Sequence, residues 1–104
     1  MEIYLLRNEE EHVCHDYFDS VIVAAENEEE ARKIHPSSSI SLSDGKWIKT
    51  IYNRWGHIKE QFEVGYLEHG WIQPEYINLL KIIYLGKANE DMKKGVILSS
   101  FNAG

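Results

Sequence analysis

The sequence predicts a small α+β protein: a mostly antiparallel sheet of about four core strands, one capped helix packed on it, and a variable insertion in the middle. Three observations lead there. Two stretches near the start, Glu2 to Arg7 and Ser20 to Glu26, carry apolar side chains on both alternating faces. A short helix signal follows at once, opened by Asn27 and closed by Pro36. Two further apolar stretches, Lys81 to Ala88 and Val96 to Phe101, complete the strand set. The 104 residues make one domain's worth of polypeptide, expected as strand–strand–helix over 1–36, insertion over 37–80 and two strands over 81–104.

In the first strand Ile3 and Leu5 alternate with Tyr4 and Leu6; in the second Val21, Val23 and Ala25 alternate with Ile22 and Ala24. Both strands are therefore expected to be covered on both sides. Asn8 to Asp19 is polar and reads as a connection, with Glu9, Glu10 and Glu11 repelling one another into solvent. In the helix Asn27 is a favoured N-cap, and Glu30 is placed to reach back to the cap's own N–H. Glu28 to Glu30 suit the positive end of the helix dipole, while Arg32, Lys33 and His35 suit its negative end. Ala31 and Ile34 supply the apolar contact with the sheet. Ser37 to Gly45, with its serines and Asp44-Gly45, reads as a loop.

The middle is ambiguous by pattern. Trp47, Ile51 and Trp55 recur four residues apart, which suits one face of a helix and equally one face of a strand; a short amphipathic helix is the expectation. Ile58, Phe62 and Val64 alternate with polar residues and predict a half-buried strand, with Gly65 to Ile72 as its hairpin partner. Pro74 then opens a helical turn, because proline is tolerated at the first helical position. Gly86 is expected to bend the end of the strand over 81–88.

Charge narrows the function classes. The net charge of −6 disfavours long nucleic acid, yet it is unevenly spread: residues 1–45 hold 3 basic and 11 acidic groups, residues 46–104 hold 8 and 6. Within 46–59 Lys46, Lys49, Arg54 and Lys59 occur with no acid at all, interleaved with Trp47, Tyr52 and Trp55. No apolar run approaches the ~18 residues of a membrane span. No secretory pattern opens the chain, and the lone Cys14 has no internal partner, so a reducing cytoplasm is the expected location.

The acid-free cluster is the candidate binding site. A nucleotide needs a flat ring to stack its base, worth ~1–3 kcal/mol per base, and cations for its phosphates. Trp47, Tyr52 and Trp55 would supply the rings; Lys46, Lys49, Arg54 and Lys59 the cations, with Arg54 able to grip two oxygens. A small anionic ligand escapes the repulsion that the acidic half exerts on a long polyanion. The same residue types dominate protein–protein hot spots, and Tyr66, Trp71 and Tyr76 would extend such a surface. Against both readings stands simple packing, in which Trp47 and Trp55 belong to the core. A pocket built at a symmetric interface would make the protein a homo-oligomer.

Signals for chemistry are thin. His12, Cys14, His15 and Asp16 are all metal-ligand types, but alternation sends His15 away from Cys14 and Asp16, and no second ligand pair has zinc spacing. His57 and His69 flank the expected hairpin without a further ligand. Cys14 beside His15 does not make a nucleophile–base pair, and neither a nucleophile elbow nor a phosphate loop occurs. Asp16 and Asp19 suit a turn better than paired acid–base work. The expectation is a protein that binds rather than catalyses, with no metal and no cofactor.

The stretches Ile3-Tyr4-Leu5-Leu6-Arg7, Asp16 to Glu26 followed by Glu29-Glu30-Ala31-Arg32 and His35-Pro36, and Gly95-Val96-Ile97-Leu98-Ser99-Ser100-Phe101-Asn102-Ala103-Gly104 resemble a group of small phage and prophage proteins. The likeness spans 1–36 and 81–104, and the segment 37–80 departs from it. What the resemblance implies is a setting: an accessory protein in the cytoplasm of an infected host cell, antagonising host defence by sequestering a small nucleotide signal or by inhibiting a host defence protein.

Overall fold

Seven strands, one α-helix and one 3-10 helix build the protein in a computed structural model that describes residues 1–9, 17–65 and 70–102. The strands are β1 (Glu2–Arg7), β2 (Tyr17–Ala25), β3 (Ile40–Ser43), β4 (Lys46–Tyr52), β5 (Ile58–Glu63), β6 (Lys81–Lys87) and β7 (Gly95–Asn102). Helix α1 covers Glu28–Arg32, and a 3-10 helix covers Pro74–Leu79. Two antiparallel sheets result: a four-stranded one in the order β6-β1-β2-β7, and a three-stranded one in the order β3-β4-β5. The protein is thus mostly antiparallel sheet, and richer in sheet than four strands and one helix.

One face of the large sheet makes the core. Tyr4, Leu6, Val21, Val23 and Ala25 are buried on it, together with Ala31 of α1, Ile40 and Trp47 of the small sheet, and Val64, Trp71, Ile72 and Leu80. The register pairs Tyr4 with Val23 and Leu6 with Val21, so each cross-strand pair presents two apolar groups to the same side. The opposite face is only partly shielded. Ile3, Leu5 and Ile22 there are half-buried, which corrects the expectation that β1 and β2 are covered on both sides.

Helix α1 opens as its sequence dictates, with the Asn27 side chain accepting from the Glu30 N–H at 2.9 Å. The helix closes at Arg32, and His35 is no dipole cation. Its ring is 1% exposed, accepts from the Ser37 N–H at Nδ1 (2.9 Å) and stands edge-on to Trp47 with centroids 5.0 Å apart. Accepting at Nδ1 places the ring proton of the neutral imidazole on Nε2.

The carboxylate of Glu30 accepts from Lys94 Nζ at 2.6 Å, which ties α1 to the start of β7. That hydrogen bond, then the Lys94 charge and the Lys33 charge, hold the Glu30 carboxyl below its ordinary range. A carboxyl lowered by folding stabilises the fold above its unfolded pKa, and loses that contribution as pH falls through the folded one. Thermal melts taken from neutral pH down through the carboxylate range should therefore show a shallower decline in Glu30→Gln than in the parent. Raised salt should shrink the difference, because the pair is partly solvated.

The segment 37–63 is where expectation and structure part. The stretch read as a loop over 37–45 contains β3, and Asp44-Gly45 is its hairpin turn: φ is +50° and +73° there, the left-handed pair that a two-residue turn demands. Lys46–Tyr52 is a strand and not a helix, because β3 pairs with it on one side and β5 on the other. The strand after it runs from Ile58 to Glu63 and is exposed throughout rather than half-buried. Its partner is β4; Gly65 and residues 70–72 lie outside any strand, and Tyr66 and His69 lie outside the described residues. The bend expected at Gly86 is present as a register shift opposite Ile3 and Tyr4, with φ at +142°.

Candidate functional site

The hairpin β4–β5 carries every residue of the acid-free cluster, and its turn is built by one side chain. Asn53 Oδ1 accepts from the N–H of Trp55 (2.9 Å) and of His57 (3.0 Å), the Asn53 N–H donates to the His57 carbonyl (2.8 Å), and the Gly56 N–H donates to the Asn53 carbonyl (3.0 Å). Gly56 takes φ +81°, a conformation a side chain would strain. Asparagine here acts as the scaffold of the turn, and Arg54 and Trp55 are left at its outside.

Their exposure is large. Trp55 is 73% exposed and Tyr52 57%, with Ile58 at 58% beside them. The Arg54 guanidinium lies over the Trp55 ring, 5.1 Å from its centroid, a cation–π contact worth about 0.5–1 kcal/mol at an exposed position. Tyr52 pairs with Ile58 across the strands, where the ladder bulges. Lys59 is exposed next to Ile58. The tip is thus a cationic, aromatic knob held by a hydrogen-bonded turn.

The other expected members do not join it. Trp47 is 1% exposed, its Nε1–H donates to the Ile72 carbonyl at 2.8 Å, and it is part of the core; it offers no ring to a ligand. The reason is register: Trp47 lies opposite Leu42, on the side of β4 that faces the large sheet. Strand alternation then sends Lys46 to one side of β4 and Lys49 to the other. Lys46 sits 3.8 Å from Glu63, and Lys49 is half-buried between Ile40 and Phe62 in the register. Of the seven residues expected to converge, Tyr52, Arg54, Trp55 and Lys59 share the outer end of the hairpin. Trp71, expected to extend a binding surface, is buried, whereas Tyr76 is 50% exposed. His12, Cys14, His15 and Asp16, weighed as metal ligands, lie outside the described residues.

Concave surface occurs elsewhere. A cleft of about 690 Å³ lies between α1, the serine stretch, β3 and the start of β7, with Lys33, Lys94, Ser37, Ser38 and Ser41 among its walls and Ile34, Leu42 and Val96 beneath. A smaller hollow of about 210 Å³ lies beside Lys46, Trp47 and Glu63. Neither includes Tyr52, Arg54 or Trp55. Sequence reasoning passed over the large cleft because its walls come from separate segments; the serine run after Pro36 was the one local sign.

Fold and hairpin together define a small, antiparallel, sheet-rich α+β protein that presents an aromatic, basic turn. Comparison with known proteins adds no relative: no protein family matches the chain, and neither do any curated protein or solved structure. Among the described residues no helix is long and apolar enough to cross a membrane.

Proposed function

We propose that this is a non-enzymatic binding protein that inserts the β4–β5 turn into a partner protein, and that in the phage setting its sequence resembles, the partner is a host defence protein in the infected cell. The observation that carries the reading is Trp55, 73% exposed on a turn braced by Asn53, with Arg54 stacked on it. A large ring left in water costs free energy unless something covers it, and Trp, Tyr and Arg are the types that dominate interface energetics. Bracing lowers the entropy lost on docking. The basic tip of a chain with net charge −6 suits a partner face that is apolar with acidic edges.

Trp55→Ala tests it directly. The indole is mostly solvated, so folding stability should stay within about 0.5 kcal/mol, while affinity for the host protein recovered with the tagged parent should fall roughly 30-fold or more, the size of a hot-spot loss. Arg54→Ala should weaken the same complex less. Unchanged affinity in Trp55→Ala removes the proposal.

A second reading, sequestration of a small anionic nucleotide, is favoured by the large cleft, whose volume lies in the range of small-molecule sites. Its walls carry Lys33 and Lys94 beside Glu30 and Asp44, so that a phosphate would have to take both lysines from Glu30. Calorimetric titration with a nucleotide panel separates the two. This reading requires binding that disappears in Lys33→Ala with Lys94→Ala and persists in Trp55→Ala.

A further inference from the structure

The two sheets have four edge strands, and three of them carry the usual protection against pairing with another chain. Strand β3 is four residues long. Strand β5 reads Ile-Lys-Glu-Gln-Phe-Glu, half of it charged. Strand β6 begins on Lys81, ends on Lys87 and is interrupted near Leu85 by its register shift. Strand β7 differs. Gly95-Val-Ile-Leu-Ser-Ser-Phe-Asn102 runs eight residues with no charge and no proline. Among the described residues it is the last strand on its side of the large sheet, and no ladder is formed there along its outer edge.

The partly shielded face of the large sheet leads to that same edge. The register aligns Ile83, Leu5, Ile22 and Leu98 in one row across all four strands, on the face away from the core. Exposure rises toward β7: Leu5, Ile22 and Ile83 are half-buried, whereas Leu98 is 64% and Ile97 44% exposed. The apolar row therefore ends at the open edge, on its most exposed member. The ladder between β2 and β7 shifts twice: at Ile97, where the extra residue is on β7, and between Phe18 and Ser20, where it is on β2. On β7 the stretch from Leu98 to Asn102 therefore carries no extra residue and is the part able to accept another strand.

We infer that β7 pairs antiparallel with β7 of a second copy of this chain about a two-fold axis, joining two four-stranded sheets into one of eight strands. A strand paired antiparallel with itself is self-complementary, which is what a two-fold contact requires. The absence of charge on the strand lets two chains of net charge −6 meet where neither repels the other. Self-pairing also brings Leu98 of each copy next to the other apolar row and removes both from water. The outer edges of the joined sheet are then the lysine-bearing β6 strands, so growth stops at two copies instead of continuing as a fibre. Strand β7 carries none of the hairpin-tip residues, and the two proposals stand or fall separately.

Sedimentation equilibrium of the parent protein at micromolar concentration should give twice the chain mass. Leu98→Lys places a charge on the exposed edge, and should weaken association about 100-fold while leaving the far-ultraviolet spectrum of the fold unchanged. Leu85→Lys, at an apolar position by the β6 edge that is also half exposed, should remain dimeric. A parent that is monomeric throughout, or a Leu98→Lys protein that associates as the parent does, overturns the inference. Should Leu98→Lys fail to fold, hydrogen exchange on the parent decides: protection of the β7 amides that rises with concentration supports the pairing, and protection independent of concentration refutes it.

Discussion

Trp47→Ala should cost about 3–5 kcal/mol of folding stability, read as a lowered urea midpoint. Against the 5–15 kcal/mol typical of a domain, that is a large share of the whole. Three links converge on this side chain. The ring fills the space between the sheets at 1% exposure, edge-on to His35 at 5.0 Å. Its Nε1–H satisfies the Ile72 carbonyl at 2.8 Å, and its own carbonyl accepts from the Val64 N–H at 2.9 Å, so the small sheet and the segment before the 3-10 helix meet at one residue. Alanine keeps the backbone bond, empties the cavity and leaves a buried carbonyl unmet. Trp47→Phe keeps much of the volume and loses the donor, so about 1–2 kcal/mol is expected, the cost of a buried acceptor left without its bond. A loss below about 1 kcal/mol in Trp47→Ala would contradict the burial described here.

The second large effect is expected at Arg32. As a cation in the last turn of α1, it would contribute only about 0.3–1 kcal/mol through the helix dipole. The structure gives it a longer reach: one guanidinium nitrogen donates to the carbonyls of Ile77 (3.2 Å) and Leu80 (2.8 Å) at the end of the 3-10 helix, in a partly buried position. Hydrogen bonds from a charged donor are worth about 1.5–3 kcal/mol, and removal takes that donor from the Leu80 carbonyl while the Ile77 carbonyl keeps the Leu80 N–H at 3.3 Å. Arg32→Ala should therefore lose about 2–3 kcal/mol, measured by denaturant unfolding. Arg32→Lys should recover less than half, since lysine keeps the charge but its shorter, more strongly hydrated ammonium is poorly suited to a partly buried position. The size of the loss decides between the roles: under 1 kcal/mol would leave the dipole alone.

The magnitudes at Trp47 and Trp55 show why the candidate site divides. Both indoles occur at the same four-residue interval, yet one is sealed in the core and the other stands 73% in water. Their contrast predicts opposite phenotypes for the same substitution: instability at position 47, intact folding with lost binding at position 55.

Much of the large sheet was legible in the chain itself. Apolar side chains at every position of Ile3 to Leu6 and Val21 to Ala25 can be satisfied only in a sheet with a covered face, and Asn27 and Pro36 bracket a helix through backbone chemistry that acts within a few residues. These signals are local, so they survive without knowledge of partners. The fate of 37–63 was not local. A spacing of four is even, and an even spacing keeps Trp47 and Ile51 on one face of a strand as readily as on one face of a helix. Only the pairing of β4 with β3 and β5 decides between them, and pairing depends on segments many residues apart. The same register turns Trp47 inward, parts Lys46 from Lys49 and carries Arg54 and Trp55 out to the turn. Composition determined that rings and cations cluster in 46–59; tertiary structure alone determined which of them face water, because burial belongs to the partner strand across the ladder and not to the residue.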